Sequence, residues 1–269
     1  MSHPILVILE KEWADLVRHR LLLVSMIVPA LILLVLPFVV AVVIPVVVGA
    51  EAFSDHGIQQ MMELLRQVSP EMRSLPPLVQ FQIYLFRQFL LLLALVPVMG
   101  GLAISTFSII GEKQARSLEP LLATPITTTE LLIGKCLGAG LPAIALTWLM
   151  GGLYAAGMWA MCPPEVLYHV MDGMGLTVIF LISPLVAMLG LNLGVVVSSR
   201  SNDPRTAQQI GVVVILPLIA LFISQLRGLY LLTLPHVLVG AVLLLVINAI
   251  ILTIGVKLFE RETILTRWK

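Results

Sequence analysis

The residues best suited to chemistry or binding are concentrated in residues 111–135, a polar segment between two long apolar runs. It reads GEKQARSLEPLLATPITTTELLIGK and interleaves acidic and basic side chains. Its end does not form a phosphate-binding loop, because Gly134-Lys135-Cys136 lacks both the first glycine and the hydroxyl of Gly-x-x-x-x-Gly-Lys-Ser/Thr. The pattern therefore predicts a charged surface that contacts a partner rather than a nucleotide site.

Catalytic chemistry is disfavoured elsewhere in the chain. The five histidines are scattered without paired spacing for a metal, and no Gly-x-Ser-x-Gly motif occurs. No Asp or Glu lies in the middle of an apolar run, which argues against an acid–base enzyme and against a proton-coupled carrier. We expect no catalytic residue, no metal site and no cofactor bound by this chain.

Composition indicates that the elements around this segment cross a membrane. The chain is 59% hydrophobic and 12% charged, against about 25% charged in a typical soluble domain. Buried in lipid, apolar segments of about 20 residues or more must be helices, because their backbone groups have no other partners. The sequence thus predicts an all-α membrane protein, a bundle of six transmembrane helices: Leu21–Ala50, Gln88–Gly111, Cys136–Pro164, Gly173–Ser199, Thr206–Leu226 and Gly228–Val256.

The first apolar run is about twice the length of a signal-peptide core, so we expect it to be retained as a span. Pro29, Pro37 and Pro45 recur in it at intervals of eight and should kink it. The loop over residues 51–87 is too short for a separate receptor domain, and His56–Val68 in it has the periodicity of an amphipathic helix.

Basic residues predict the orientation of the bundle. Twelve of the 16 Lys and Arg residues fall on the side that holds both termini and the polar segment. The positive-inside rule then places that side in the cytoplasm, which makes the chain a multi-pass protein of the cell inner membrane. We divide it into an interfacial helix over residues 1–20, a membrane domain over 21–258 and a cytoplasmic tail over 259–269.

Residues 1–20 predict an amphipathic helix that lies in the membrane interface. Ile8, Leu9, Trp13 and Leu16 share its apolar face. It is either a simple anchor or an elbow helix that moves with the bundle.

The polar segment has strong local signals for a helix and a turn. Ser117 can cap a short helix that ends near Ala123, and the residue before Pro125 is biased away from helix. Thr127 and Glu130 form a capping box for the next span. These features fit either a well-capped connector or a docking element.

A second group of polar and small residues lies within the spans. It could pack helices closely or line a pathway. A dimer seam could form from small residues such as Gly190 and Gly194 or from the polar start of the fifth predicted span. Because so few polar groups occur, we expect hydrophobic or amphipathic cargo. The group consists of Ser105, Thr106, Gly190, Asn192 and Gly194.

Three stretches together resemble the ATP-binding-cassette type-2 permeases. RSLEPLLATPITTTELLIGK is similar to that family's coupling segment, and SSRSNDPRTAQQIGVVVILP (198–217) is similar to its loop into the fifth helix. Lys11-Glu12, with Arg18 and Arg20 before the first span, resemble its elbow helix. The sequence departs from the family at Arg116-Ser117, where Gly-Thr is usual, and in its small outer loop.

The resemblance implies an export permease that works as a dimer, with a second copy or a homologue, together with separate nucleotide-binding subunits that bind ATP and Mg and hydrolyse the ATP. It implies that the coupling loop, 111–130, contacts those subunits. A membrane scaffold that recruits a cytoplasmic partner without transport is the alternative. The implied contact residues are Glu112, Lys113, Arg116, Leu118, Glu119, Pro120, Leu121, Leu122, Thr124 and Pro125.

Overall fold

The computed structural model describes residues 4–49, 56–115, 128–201, 203, 206, 209, 215–226 and 232–258 of the chain. The regular elements in these residues are helices, and none of these residues lies in a strand. In chain order the elements are α1 (Pro4–Arg18), α2 (Arg20–Phe38), a π-helical turn (Val39–Val43), α3 (Ile44–Val48), α4 (His56–Val68), a 3-10 turn (Pro70–Ser74), α5 (Pro77–Leu93), α6 (Leu95–Gln114), α7 (Thr128–Met161), α8 (Pro164–Val170), α9 (Gly173–Thr177), a second π-helical turn (Val178–Ile182), α10 (Ser183–Arg200), α11 (Ile215–Leu226) and α12 (Leu234–Leu258).

Five helical segments of the described chain are long and apolar enough to cross a membrane. The sixth predicted span, Thr206–Leu226, is described only as the 12-residue helix α11 and at isolated positions before it. The count of six therefore stays a prediction. The five segments are Leu22–Val47, Pro77–Gln114, Gly134–Met161, Gly173–Ser198 and Leu234–Gly255.

The helical segment that contains the second predicted span begins before the span itself. The prediction was Gln88–Gly111, whereas the apolar helical segment is Pro77–Gln114. An isolated charge in lipid is costly, which is why the predicted span began after Arg87. In the structure that charge is paired: its Nη2 lies 2.5 Å from Asp172 and 2.8 Å from the carbonyl oxygen of His169. The helix can therefore continue through it.

The prolines of the first span act unequally. α2 continues through Pro29 and Pro37, and the first π-helical turn lies between Pro37 and Pro45. Because Pro45 has no N–H, it cannot donate to the carbonyl oxygen of Ala41, four residues earlier. Gln82 of α5 donates to that oxygen instead, at 3.3 Å. The distortion is thus stabilised by a neighbouring helix.

An aromatic core joins the same helices to α7. Phe38, Phe86 and Tyr154 meet edge to face, with ring centroids 5.1, 5.5 and 5.7 Å apart. The Tyr154 hydroxyl also donates to the carbonyl oxygen of Phe86 at 2.9 Å. Apolar packing of this kind holds one end of the bundle, while polar contacts dominate the other.

Candidate functional site

Charged side chains lie buried where α1 meets α6 and α7. Lys135 Nζ is 2.9 Å from Glu12 Oε1 and 2.8 Å from Glu112 Oε2. Ser108 Oγ donates to Glu12 at 2.9 Å, and Lys11 forms an ion pair with Glu112. We call these five residues the base cluster, and the end of the bundle that holds them the base. The base cluster connects three helices that are far apart in the sequence.

Glycines on α7 allow α1 to come this close. A Cβ atom at Gly134 would lie 2.9 Å from Cγ2 of Ile8, and one at Gly138 would lie 2.7 Å from Cβ of Glu12. Both distances are shorter than an ordinary van der Waals contact, so larger residues would push α1 away. The i, i+4 spacing places both glycines on one face of α7, as in other close helix contacts.

The cluster is electrically balanced, with two carboxylates and two ammonium groups. The side chains of Glu12, Glu112 and Lys135 are 4%, 8% and 7% exposed. Charges buried this deeply are tolerated only when paired and hydrogen-bonded. Burial alone would lower the pKa of Lys11, but its hydrogen bond to Glu112 and the charges of Glu112, Glu12 and Asp15 outweigh this and raise the pKa. Lys11 therefore remains a cation.

The base cluster also closes the polar segment into a loop. Glu112 lies at the start of residues 111–135 and Lys135 at the end, and the two side chains pair with each other. Both ends of the segment are thus joined to each other and, through Glu12 and Lys11, to α1. A movement of the segment must carry α1 with it or break buried ion pairs.

Lys113 joins the same segment to a fourth helix. Its ammonium group donates to the carbonyl oxygens of Ser198 at 2.6 Å and Ser201 at 3.3 Å, at the C-terminus of α10. A cation is favourable there because the last carbonyl groups of a helix carry partial negative charge. Lys113 thus joins the C-terminus of α10 to the end of α6, next to the base cluster.

Most of the predicted contact surface falls outside the described residues. Glu112 is buried and Lys113 is half-buried, each engaged by its own chain. Thr127 also lies outside the described residues, and α7 begins at the next position. The others outside them are Arg116, Leu118, Glu119, Pro120, Leu121, Leu122, Thr124 and Pro125.

The glycines predicted as a dimer seam pack within one chain. A Cβ atom at Gly190 would lie 2.4 Å from the carbonyl oxygen of Val98, and one at Gly194 would lie 1.7 Å from Ser105 Oγ. Both glycines belong to α10 and both neighbours to α6. In this chain the two glycines let α6 approach α10 closely, and the dimer seam stays a prediction.

The polar side chains predicted to line a pathway are also engaged internally. Asn192 of α10 donates to Asn248 Oδ1 of α12 at 3.0 Å. Ser105 and Thr106 donate to the carbonyl oxygen of Leu102, at 3.2 and 2.8 Å. These bonds satisfy the polar groups without a ligand.

The sequence reasoning missed the roles of Glu12 and Ser108. Glu12 is four residues after Ile8 on α1, so the helical period places it on the same buried face. A carboxylate on an otherwise apolar face indicates a buried partner. Its partner, Lys135, is separated from it by 123 residues, which is beyond the reach of helical periodicity.

The helices are long enough to cross a membrane, and ion pairs join the ends of a polar segment to them. These features are those of a multi-pass membrane protein of the permease class. The model of the family described as "ABC-2 family transporter protein" matches residues 6–246, and the chain belongs to that family. This confirms the resemblance seen in the sequence. The family is the membrane component of transporters that work with ABC ATPase subunits. No match was found among curated proteins.

Proposed function

We propose that this chain is the permease subunit of an ABC exporter in the cell inner membrane, working as a dimer with two ATPase subunits. Its base and both termini face the cytoplasm, as the basic residues predict. The observation that carries the proposal is the base cluster. It joins Glu112 and Lys135 to each other and to α1, and we infer that the coupling loop, 111–130, transmits through them a force applied from outside the membrane.

The ion pairs of the base cluster determine which helices a force on the segment acts on. Glu112 is on α6 and Lys135 is on α7, and their ion pair joins the two ends of the segment. A force on the segment therefore acts on both helices instead of only unfolding the helix ends. The same force acts on α10 through the hydrogen bonds of Lys113 and on α1 through the ion pair of Glu12. The second, third and fourth spans then move together with the elbow helix, which is the motion alternating access requires.

The predicted contact residues divide into two roles. Glu112 and Lys113 bind their own chain, so we assign them to holding the segment in place. The surface that meets the ATPase is then the tip of the loop. Its residues are Arg116, Leu118, Glu119, Pro120, Leu121, Leu122, Thr124 and Pro125.

The substrate is inferred to be hydrophobic or amphipathic. The spans expose apolar side chains, and Ser105, Thr106 and Asn192 are satisfied within the chain. A strongly charged cargo would need polar partners in place of its water. Few such groups remain available among the described residues of the spans.

The test is a charge reversal at the loop tip. Glu119→Lys should lower co-purification of the ATPase subunit at least tenfold, because placing the wrong charge in an interface costs several kcal/mol and about 1.4 kcal/mol is already a factor of ten. Glu63→Lys is the matched control, since Glu63 is an exposed carboxylate on α4, in the outer loop. Equal co-purification of both variants with the ATPase would contradict the proposal. An ATPase that binds but is never stimulated by the permease would favour the scaffold.

A further inference from the structure

A groove opens next to the base cluster, between α1 and α6. Its cavity volume is about 400 Å³, within the range of about 300–1,000 Å³ typical of ligand sites. Leu16, Ile104 and Phe107 form an apolar floor. Lys11, Asp15 and His19 form a polar rim. A site that is apolar at one side and charged at the other suits an amphipathic ligand.

The amphipathic character of α1 predicts that the groove lies at the level of lipid headgroups. Trp13 and Val17, on the same helix as its rim, are 46% and 70% exposed. An amphipathic helix with exposed apolar side chains and charged neighbours lies in the membrane interface. With α1 in the membrane interface, the floor of the groove faces the acyl region and its rim faces the headgroups.

Charge indicates which headgroup fits. In the base cluster the carboxylates of Glu12 and Glu112 are balanced by Lys11 and Lys135. Asp15 is an additional carboxylate on the rim, and no side chain among the described residues forms an ion pair with it. Counted together, the base cluster and Asp15 have three carboxylates and two ammonium groups, and this surplus negative charge attracts a cation that can donate hydrogen bonds.

We propose that this groove binds a phospholipid with a primary-amine headgroup, phosphatidylethanolamine, from the leaflet at the base. Its ammonium group lies against Asp15, its phosphate accepts a hydrogen bond from His19, and one acyl chain covers Phe107 and Ile104. A choline headgroup lacks the N–H donors for Asp15. An anionic headgroup has no positively charged group that could pair with Asp15. This inference does not depend on transport or on an ATPase.

Native mass spectrometry of the full-length protein tests it. The delipidated protein is mixed with equal amounts of phosphatidylethanolamine, phosphatidylcholine and phosphatidylglycerol that carry the same acyl chains. We expect phosphatidylethanolamine to be retained about tenfold more than the other two. Asp15→Asn should remove this preference, and Phe107→Trp, which fills the floor, should lower retention of all three. Glu63→Gln, on α4, is the control and should change nothing.

Three results would overturn the proposal: equal retention of the three lipids, a preference for phosphatidylglycerol, or an unchanged preference in Asp15→Asn. Each variant is first checked for a single peak in size-exclusion chromatography. If Asp15→Asn does not fold, His19→Ala decides the question. It should lower retention of phosphatidylethanolamine, and unchanged retention in that variant would contradict the assigned site.

Discussion

Replacing Lys135 by methionine probes the base cluster most sharply. Methionine keeps much of the side-chain length but removes the ammonium group that lies 2.9 Å from Glu12 and 2.8 Å from Glu112. At an effective dielectric constant of about 20, each contact corresponds to about 6 kcal/mol of Coulomb attraction. The desolvation that Lys135 no longer suffers offsets much of this. A buried pair that loses one partner is destabilised by about 3–5 kcal/mol.

The assay is thermal unfolding of the protein in a mild detergent. A loss of this size corresponds to a fall in Tm of roughly 10 °C, taking about 2–4 °C per kcal/mol for a chain of this length. Glu63→Gln is the matched control, because it breaks an exposed pair with Arg66 at 3.5 Å. An exposed pair of that kind contributes less than about 0.5 kcal/mol, so the Tm of the control should hardly change.

A second substitution makes the reasoning refutable. Adding Glu12→Gln to Lys135→Met removes the carboxylate that has lost its partner, while Glu112 keeps its ion pair with Lys11. The double variant should therefore be more stable than Lys135→Met alone. A Tm of Lys135→Met close to that of the wild type, or a further fall in Tm in the double variant, would show that the cluster is not a coupled buried network.

Other predictions concern topology, packing and assembly. In a variant without native cysteines, a cysteine at Gln114 should resist an impermeant thiol reagent in intact cells while one at Ser69 reacts, and the reverse pattern would overturn the orientation. Gly138→Ala should push Glu12 aside and lower the Tm, whereas Gly152→Ala should not, because no atom lies within 4 Å of a Cβ there; equal Tm values would contradict the glycine contact. The purified chain should hydrolyse no ATP, and native mass spectrometry of gently solubilised membranes should find two permease copies with two ATPase subunits. A monomer without ATPase in several mild detergents would contradict that assembly.

The apolar spans were largely predictable because charges are so costly in lipid that they mark where a span ends. A charge does not mark where a helix ends, since α5 continues through Arg87, which is paired with Asp172. The helix His56–Val68 was predicted with its observed bounds, because its apolar residues follow the helical period without interruption. Small residues such as Gly190 and Gly194 favour close packing without specifying the partner, so the sequence alone did not show that they contact α6 of the same chain.

The base cluster was only partly predictable. Glu112 and Lys113 stood out as charges at the end of an apolar run, and the resemblance to a known family indicated their neighbourhood. That Lys135 pairs with Glu12 depends on α1 folding back onto α7, which Gly134 and Gly138 permit. Such contacts between distant parts of a chain are absent from local periodicity.

The central claim is that the loop held by the base cluster meets the ATPase. A photo-crosslinking amino acid placed at Leu121, at the predicted tip of the loop, tests this in native membranes. We predict a covalent adduct between the permease and a nucleotide-binding subunit from this position, and none from Gln59 on α4. No adduct from Leu121 in membranes that contain the assembled complex, or equal yields from both positions, would contradict the account.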